Sequence, residues 1–185
     1  MPLRPIERAA LGVIWVGIGL ILLTPLVVSG ESAFFPLVVN DRLIFFPPTI
    51  FPFLVGKALL FRCIVEVVFV AWVVLAVSNP RYRPPRSLLL GLLALALAVA
   101  TVSALQGASV MRSLFSTYER MGGVLDQAHW FVFAVVLVSV ARATQWRVLL
   151  NVNLGVGVVV AVWAAGQHFD VAPWIWQSSS GGYGR

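Results

Sequence analysis

The residues of this chain that could do chemistry are few, and most stand in apolar surroundings. Arg62 and Glu66 lie four apart in the run K-A-L-L-F-R-C-I-V-E that begins at Lys57. On a helix that spacing sets both side chains on one face, within bonding reach. Two readings are open: a self-neutralising pair that locks helix packing, or a contact for substrate or lipid headgroup. Asp126 and His129 repeat the pattern at a spacing of three. Such a pair can act as a base with its orienter, and it can equally cap and pack a helix end. A third group is the polar stretch 111–123, with Arg112, Ser113, Ser116, Thr117, Tyr118, Glu119 and Arg120. Arginine offers a bidentate fork suited to phosphate, although a solvated loop carries the same residue types.

Other chemistries lack their residues. Gly56-Lys57 has Phe51 where a Walker loop needs its first glycine and Ala58 where it needs Ser or Thr. Neither a G-x-S-x-G elbow nor an H-E-x-x-H helix occurs. Two histidines and one cysteine, far apart, supply no zinc ligand set. No metal and no cofactor are expected.

The elements that must position these groups follow from composition. The 185 residues are 60% hydrophobic and 11% charged, with a mean hydropathy of +0.95. Soluble domains are ~45–50% apolar and ~25% charged. A soluble enzyme, a nucleic-acid binder and a disordered tail are therefore excluded. At ~20 residues per membrane crossing, the apolar runs predict about five spans, at roughly 9–29, 58–78, 87–106, 125–143 and 148–168. The fold class is an all-α, polytopic transmembrane bundle forming one domain. Glu66 then lies some ten residues into its span, ~15 Å at the rise of a helix. That depth is close to mid-membrane, where ionisable groups face the bundle interior and a partner.

Charge reads as topology. Arg4 and Arg8, then Arg81, Arg83 and Arg86, then Arg142 and Arg147 fall in the N-terminal tail and two short connections. All share one side if the N-terminus is cytoplasmic, and density in short loops is what insertion weighs. Arg42, Lys57, Arg112, Arg120 and Arg185 fall on the opposite side, in longer segments. The apolar run 9–29 exceeds the ~7–15 residues of a signal-peptide core and lacks a clear cleavage site. It reads as an uncleaved anchor.

Several details complete the pattern. Pro25 should kink or end the first helix. The outer segment 30–57 interleaves Pro36, Pro47, Pro48 and Pro52 with six phenylalanines. Its irregular backbone must avoid lipid, which places it at the interface or against the bundle. Cys63 is read as core packing. Ala94/Ala98 and Ala96/Ala100/Ala104 give the third span close-packing faces. Asn151 and Asn153 should bond neighbouring helices, and Trp174 and Trp176 suit an interfacial belt.

Three stretches resemble the O-antigen ligase and polymerase superfamily. They are F-P-F-L-V-G-K at 51–57 running into F-R-C-I-V-E at 61–66, then R-S-L-F-S-T-Y-E-R-M-G-G at 112–123 with His129 soon after, and the last span with Gln167 and a Ser/Gly tail to Arg185. The first two are specific, since a charged F-R-x-x-x-E face and an S-x-Y-E-R-M-x-G loop are rare in membrane spans. The resemblance implies a multi-pass glycosyltransferase of the bacterial inner membrane. Such enzymes move glycan from an undecaprenyl-diphosphate carrier to an acceptor at the periplasmic face, typically without metal or nucleotide. It implies that Arg112, Arg120 and Arg185 hold the carrier's phosphates, with Lys57, Tyr118, Glu119 and His129 as further polar candidates. The family's catalytic Arg and His residues lie mainly in a large periplasmic loop of the second half. This chain corresponds to the front part, so its own catalytic residues are not assigned, and a missing C-terminal half or a helix-packing partner is implied. The rival expectation is a small non-catalytic membrane subunit or transporter-related protein.

Overall fold

The structure, a computed structural model, describes residues 3–26, 52–117 and 122–169. The segment 27–51, the residues Tyr118, Glu119 and Arg120, and the tail with Trp174, Trp176 and Arg185 lie outside the described residues. Among the described residues six α-helices follow one another: α1 Pro5–Leu23, α2 Pro52–Ser78, α3 Leu88–Gln106, α4 Val110–Phe115, α5 Val124–Val140 and α6 Ala143–His168. Among the described residues there is no strand.

Local chemistry sets the helix ends. Pro5 occupies the first turn of α1, where its missing N–H costs nothing, and the Arg4 N–H donates to Glu7 Oε2 at 2.9 Å. The helix thus starts four residues ahead of the expected span. It gives way to a tight turn, Thr24–Leu26, at Pro25, as a residue without an N–H dictates. Pro52 likewise opens α2 rather than breaking it. The side chains of Thr24, Thr101 and Ser139 donate to the carbonyls of Leu20, Leu97 and Val135, the usual way to satisfy a hydroxyl within an apolar helix.

Among the described residues four helical stretches are long and apolar enough to cross a membrane: Pro5–Leu26, Lys57–Ser78, Leu88–Gln106 and Ala143–Gly166. The remaining expected span, 125–143, is α5, with 17 residues. At 1.5 Å per residue it reaches ~25 Å, short of the ~30 Å hydrocarbon core. The chain reverses early because Arg142 N donates to Gln145 Oε1 at 2.8 Å, capping an α6 that begins five residues sooner than expected.

The core is built on α1 and α2, which share the most extensive interface. Ile14, Ile18, Val65, Val68 and Leu75 are fully buried, with Val136 of α5. Gly17 makes the close approach possible, since a Cβ there would overlap the Val68 side chain. Ala10, Leu75, Tyr82 and Val140 meet in one cluster, gathering the start of α1, the end of α2 and the end of α5. The other end of the bundle joins the turn after α1, the start of α2, α4 and the start of α5.

By contrast α3 and α6 are apolar and largely uncovered. Leu88, Leu95, Leu154 and Val162 are all exposed. Faces of this kind belong in lipid or against further helices, and the chain is a membrane protein. Of the alanine rows on α3 only Ala104 is buried, because α3 meets α4 and α5 and nothing covers Ala94, Ala96 or Ala98. Asn151 and Asn153 are exposed on α6. Cys63 is exposed as well, contrary to its reading as core, since α2 turns Phe61 and Val65 inward and leaves Cys63 outside.

Candidate functional site

Helix α2 places Arg62 and Glu66 on the side that meets α5, and α5 answers with Asp126 and His129. Arg62 Nε and Nη2 each lie 3.3 Å from Asp126 Oδ1. The second oxygen, Oδ2, accepts from Trp130 Nε1 at 3.2 Å. Both carboxylate oxygens are therefore engaged, as a charge in an apolar setting requires. The Arg62 and Asp126 side chains are 12% and 21% exposed.

His129 lies one turn deeper. Its Nδ1 is 2.7 Å from the Leu125 carbonyl oxygen, which makes Nδ1 the protonated nitrogen, because two acceptors would repel at that distance. Nε2 faces Glu66 Oε1 at 3.4 Å, and a bond there needs one proton on either partner. The His129 side chain is 13% exposed and that of Glu66 is 69% exposed. The pair bridges the interior and the outer surface of the bundle.

The charged pair anticipated along one helix is thus realised across two, with each member of α2 bonded to α5. An aromatic wall supports it: the rings of Phe61 and Trp130 stack with centroids 4.1 Å apart, and Phe133 meets Phe61 edge-on. Residues 62 and 126 are far apart in sequence, and spacing within one helix carries no sign of such a contact. Trp130, four residues beyond Asp126, was the missed member. Its i,i+4 spacing was the available signal.

Two further features frame the cluster. Lys57 Nζ donates to the Pro25 carbonyl at 3.0 Å, tying the start of α2 to the orphan carbonyls at the end of α1. Helix α4 folds back on the start of α5. Ser116 adopts φ 64° to turn the chain, and Gly123 is buried so tightly that a Cβ would overlap the Leu114 carbonyl. Arg112, on α4, is exposed. The structure therefore brings Arg62, Glu66, Asp126 and His129 together and sets Arg112 and Lys57 at the same end of the bundle. Arg120, Arg185, Tyr118 and Glu119 lie outside the described residues. Among the described residues no group of His, Cys, Asp and Glu could hold a metal ion.

No protein-family model matches the chain, and no curated protein or solved structure is significantly similar to it.

Proposed function

We propose that this chain is the front part of an O-antigen ligase-like glycosyltransferase, acting on an undecaprenyl-diphosphate-linked glycan at the periplasmic face of a bacterial inner membrane. One observation carries the reading: Arg112 is exposed on α4, which packs on the start of α5, the helix that bonds Arg62 and Glu66 of α2. Helix ends sit at headgroup level, where a lipid diphosphate is presented, and Arg matches its oxygens in pairs. In transfer, the bond from the anomeric carbon to the phosphate oxygen breaks and the acceptor hydroxyl oxygen forms the new one, giving up its proton to water. Negative charge gathers on the departing diphosphate. Fixed guanidinium groups that neutralise this charge lower the barrier without moving. In this reading Arg112, Arg120 and Arg185 hold the carrier, while the Arg62–Asp126 pair ties α5 to α2. Lys57, Tyr118, Glu119 and His129 are the further polar candidates for this binding.

The test is lipid binding by the purified chain in nanodiscs, followed by native mass spectrometry. Undecaprenyl diphosphate should be retained and undecaprenol should not. Arg112→Ala with Arg120→Ala should weaken retention at least about tenfold, as loss of charge-assisted bonds implies. Equal retention of both lipids, or an unaffected double variant, would defeat the proposal. The uncovered faces of α3 and α6 favour a second reading, a non-catalytic subunit packed in a larger membrane complex. That reading is the one left standing if diphosphate is not recognised.

A further inference from the structure

Helix α1 opens with an uncommitted charge and continues as the wall of an apolar groove. Arg8 is exposed, and among the described residues no carboxylate pairs with it. The groove starts at the next residue, Ala9, and follows α1 through Gly12 and Val16 to Leu20. Cys63 and Val67 of α2 line its other side, and it holds about 580 Å³. A Cβ built on Gly12 would meet nothing within 4 Å. Val16, Leu20 and Val67 are exposed along it, so a slender apolar molecule can enter from the side.

Length and charge together describe the occupant. From Ala9 to Leu20 the groove runs ~17 Å along the helix axis. One leaflet is half of the ~30 Å hydrocarbon core, or ~15 Å. Side chains on a helix lean toward its N-terminus, which carries the Arg8 guanidinium past the end of the groove to headgroup level. We propose that this groove takes one acyl chain of an anionic phospholipid, with Arg8 against the lipid phosphate.

Charge complementarity selects a net-anionic headgroup. Arg4, Arg81 and Arg83 are also exposed, at the end of the bundle that Ala10 and Tyr82 gather into one cluster. Among the described residues the carboxylate at this end is Glu7, which is buried and accepts from the Arg4 N–H. One buried acid therefore stands against several exposed cations. A phospholipid carries its anion at the head of a chain one leaflet long, which is the arrangement of Arg8 and the groove. An apolar helix would fill the groove and bring no anion to Arg8. A second copy in the same membrane orientation would set Arg8 beside its own equivalent, and like charges repel. The site lies at the opposite end of the bundle from Arg112 and does not rest on glycan transfer.

The test is native mass spectrometry of the full chain in detergent micelles. The probes are phosphatidylglycerol and phosphatidylcholine with identical acyl chains. Phosphatidylglycerol should be retained about fivefold more tightly, the range of one arginine at an anionic surface. Arg8→Gln should bring it down to phosphatidylcholine. Arg86→Gln, at the same end but beside α3 and away from the groove, should leave retention unchanged. Gly12→Leu, which fills open space in the groove, should weaken both lipids. Equal retention of the two lipids, or equal effects of Arg8→Gln and Arg86→Gln, would overturn the proposal. Indifference to Gly12→Leu would overturn it as well, since the groove would then be closed to lipid. So would a dimer that Gly12→Leu abolishes, because the groove would belong to a second copy.

Discussion

Arg62 and Asp126 meet at 3.3 Å with little of either side chain exposed, so each is the means by which the other tolerates its surroundings. Removing one takes from the other its oppositely charged partner in largely desolvated surroundings. Arg62→Leu or Asp126→Leu alone should cost about 3 kcal/mol, the range for breaking a buried pair from one side. The double variant should recover most of that loss, because no charge is stranded. Reversible denaturant titration in detergent micelles checks this, and strictly additive losses would contradict it. Glu66 and His129 behave differently because Glu66 is mostly exposed, so the chain can lose that contact more cheaply. The four residues were legible in the sequence as two pairs. Their pairing was not, since which helix a charge reaches depends on how α2 and α5 pack.

At the level of elements, the α4–α5 connection depends on a backbone contact that side chains only permit. Gly123 packs against the carbonyl of Leu114, with no room for a methyl group, and Ser116 supplies the positive φ that reverses the chain. Gly123→Ala should cost about 1–3 kcal/mol, as overpacking does. It should act by releasing α4, which would appear as faster hydrogen–deuterium exchange across 110–115 while α1 and α2 stay protected. Unchanged exchange there would mean that α4 does not rely on this contact. Gly155 on α6 is the matched control: a Cβ there meets nothing, so Gly155→Ala should be neutral or stabilise the helix by up to about 1 kcal/mol. A glycine's identity is plain in a sequence. Whether it allows a close approach is decided by the neighbouring element.

The whole molecule is polarised by charge. Arg4 and Arg8 lie at the start of α1, Arg81, Arg83 and Arg86 after α2, and Arg142 and Arg147 around the start of α6. Packing gathers these ends, since Ala10, Leu75, Tyr82 and Val140 share one cluster. Tyr82 is buried in the turn itself, and its carbonyl accepts from Trp72 Nε1 at 3.1 Å, which holds the basic turn against α2. The density of positive charge predicts that this end faces the cytoplasm. A reporter active only outside the cytoplasm should be silent when joined after Arg86 and active when joined after Ser109. The reverse pattern would invert the topology and move the α2–α5 cluster to the cytoplasmic half.

Composition and period alone determined that this is an all-helical membrane protein, where its apolar runs lie, and which few residues are too polar to be there by default. Those are one-dimensional quantities: hydrophobic free energy scales with apolar area, and each turn of helix fixes its own neighbours. Only the tertiary structure decided that Arg62 reaches Asp126 and Glu66 reaches His129, that Cys63 faces outward, and that α5 is too short to match the other spans. Contacts between helices depend on packing angle and on where each helix ends. Those are set by features such as the Gly17–Val68 approach, whose effect appears only when two elements meet.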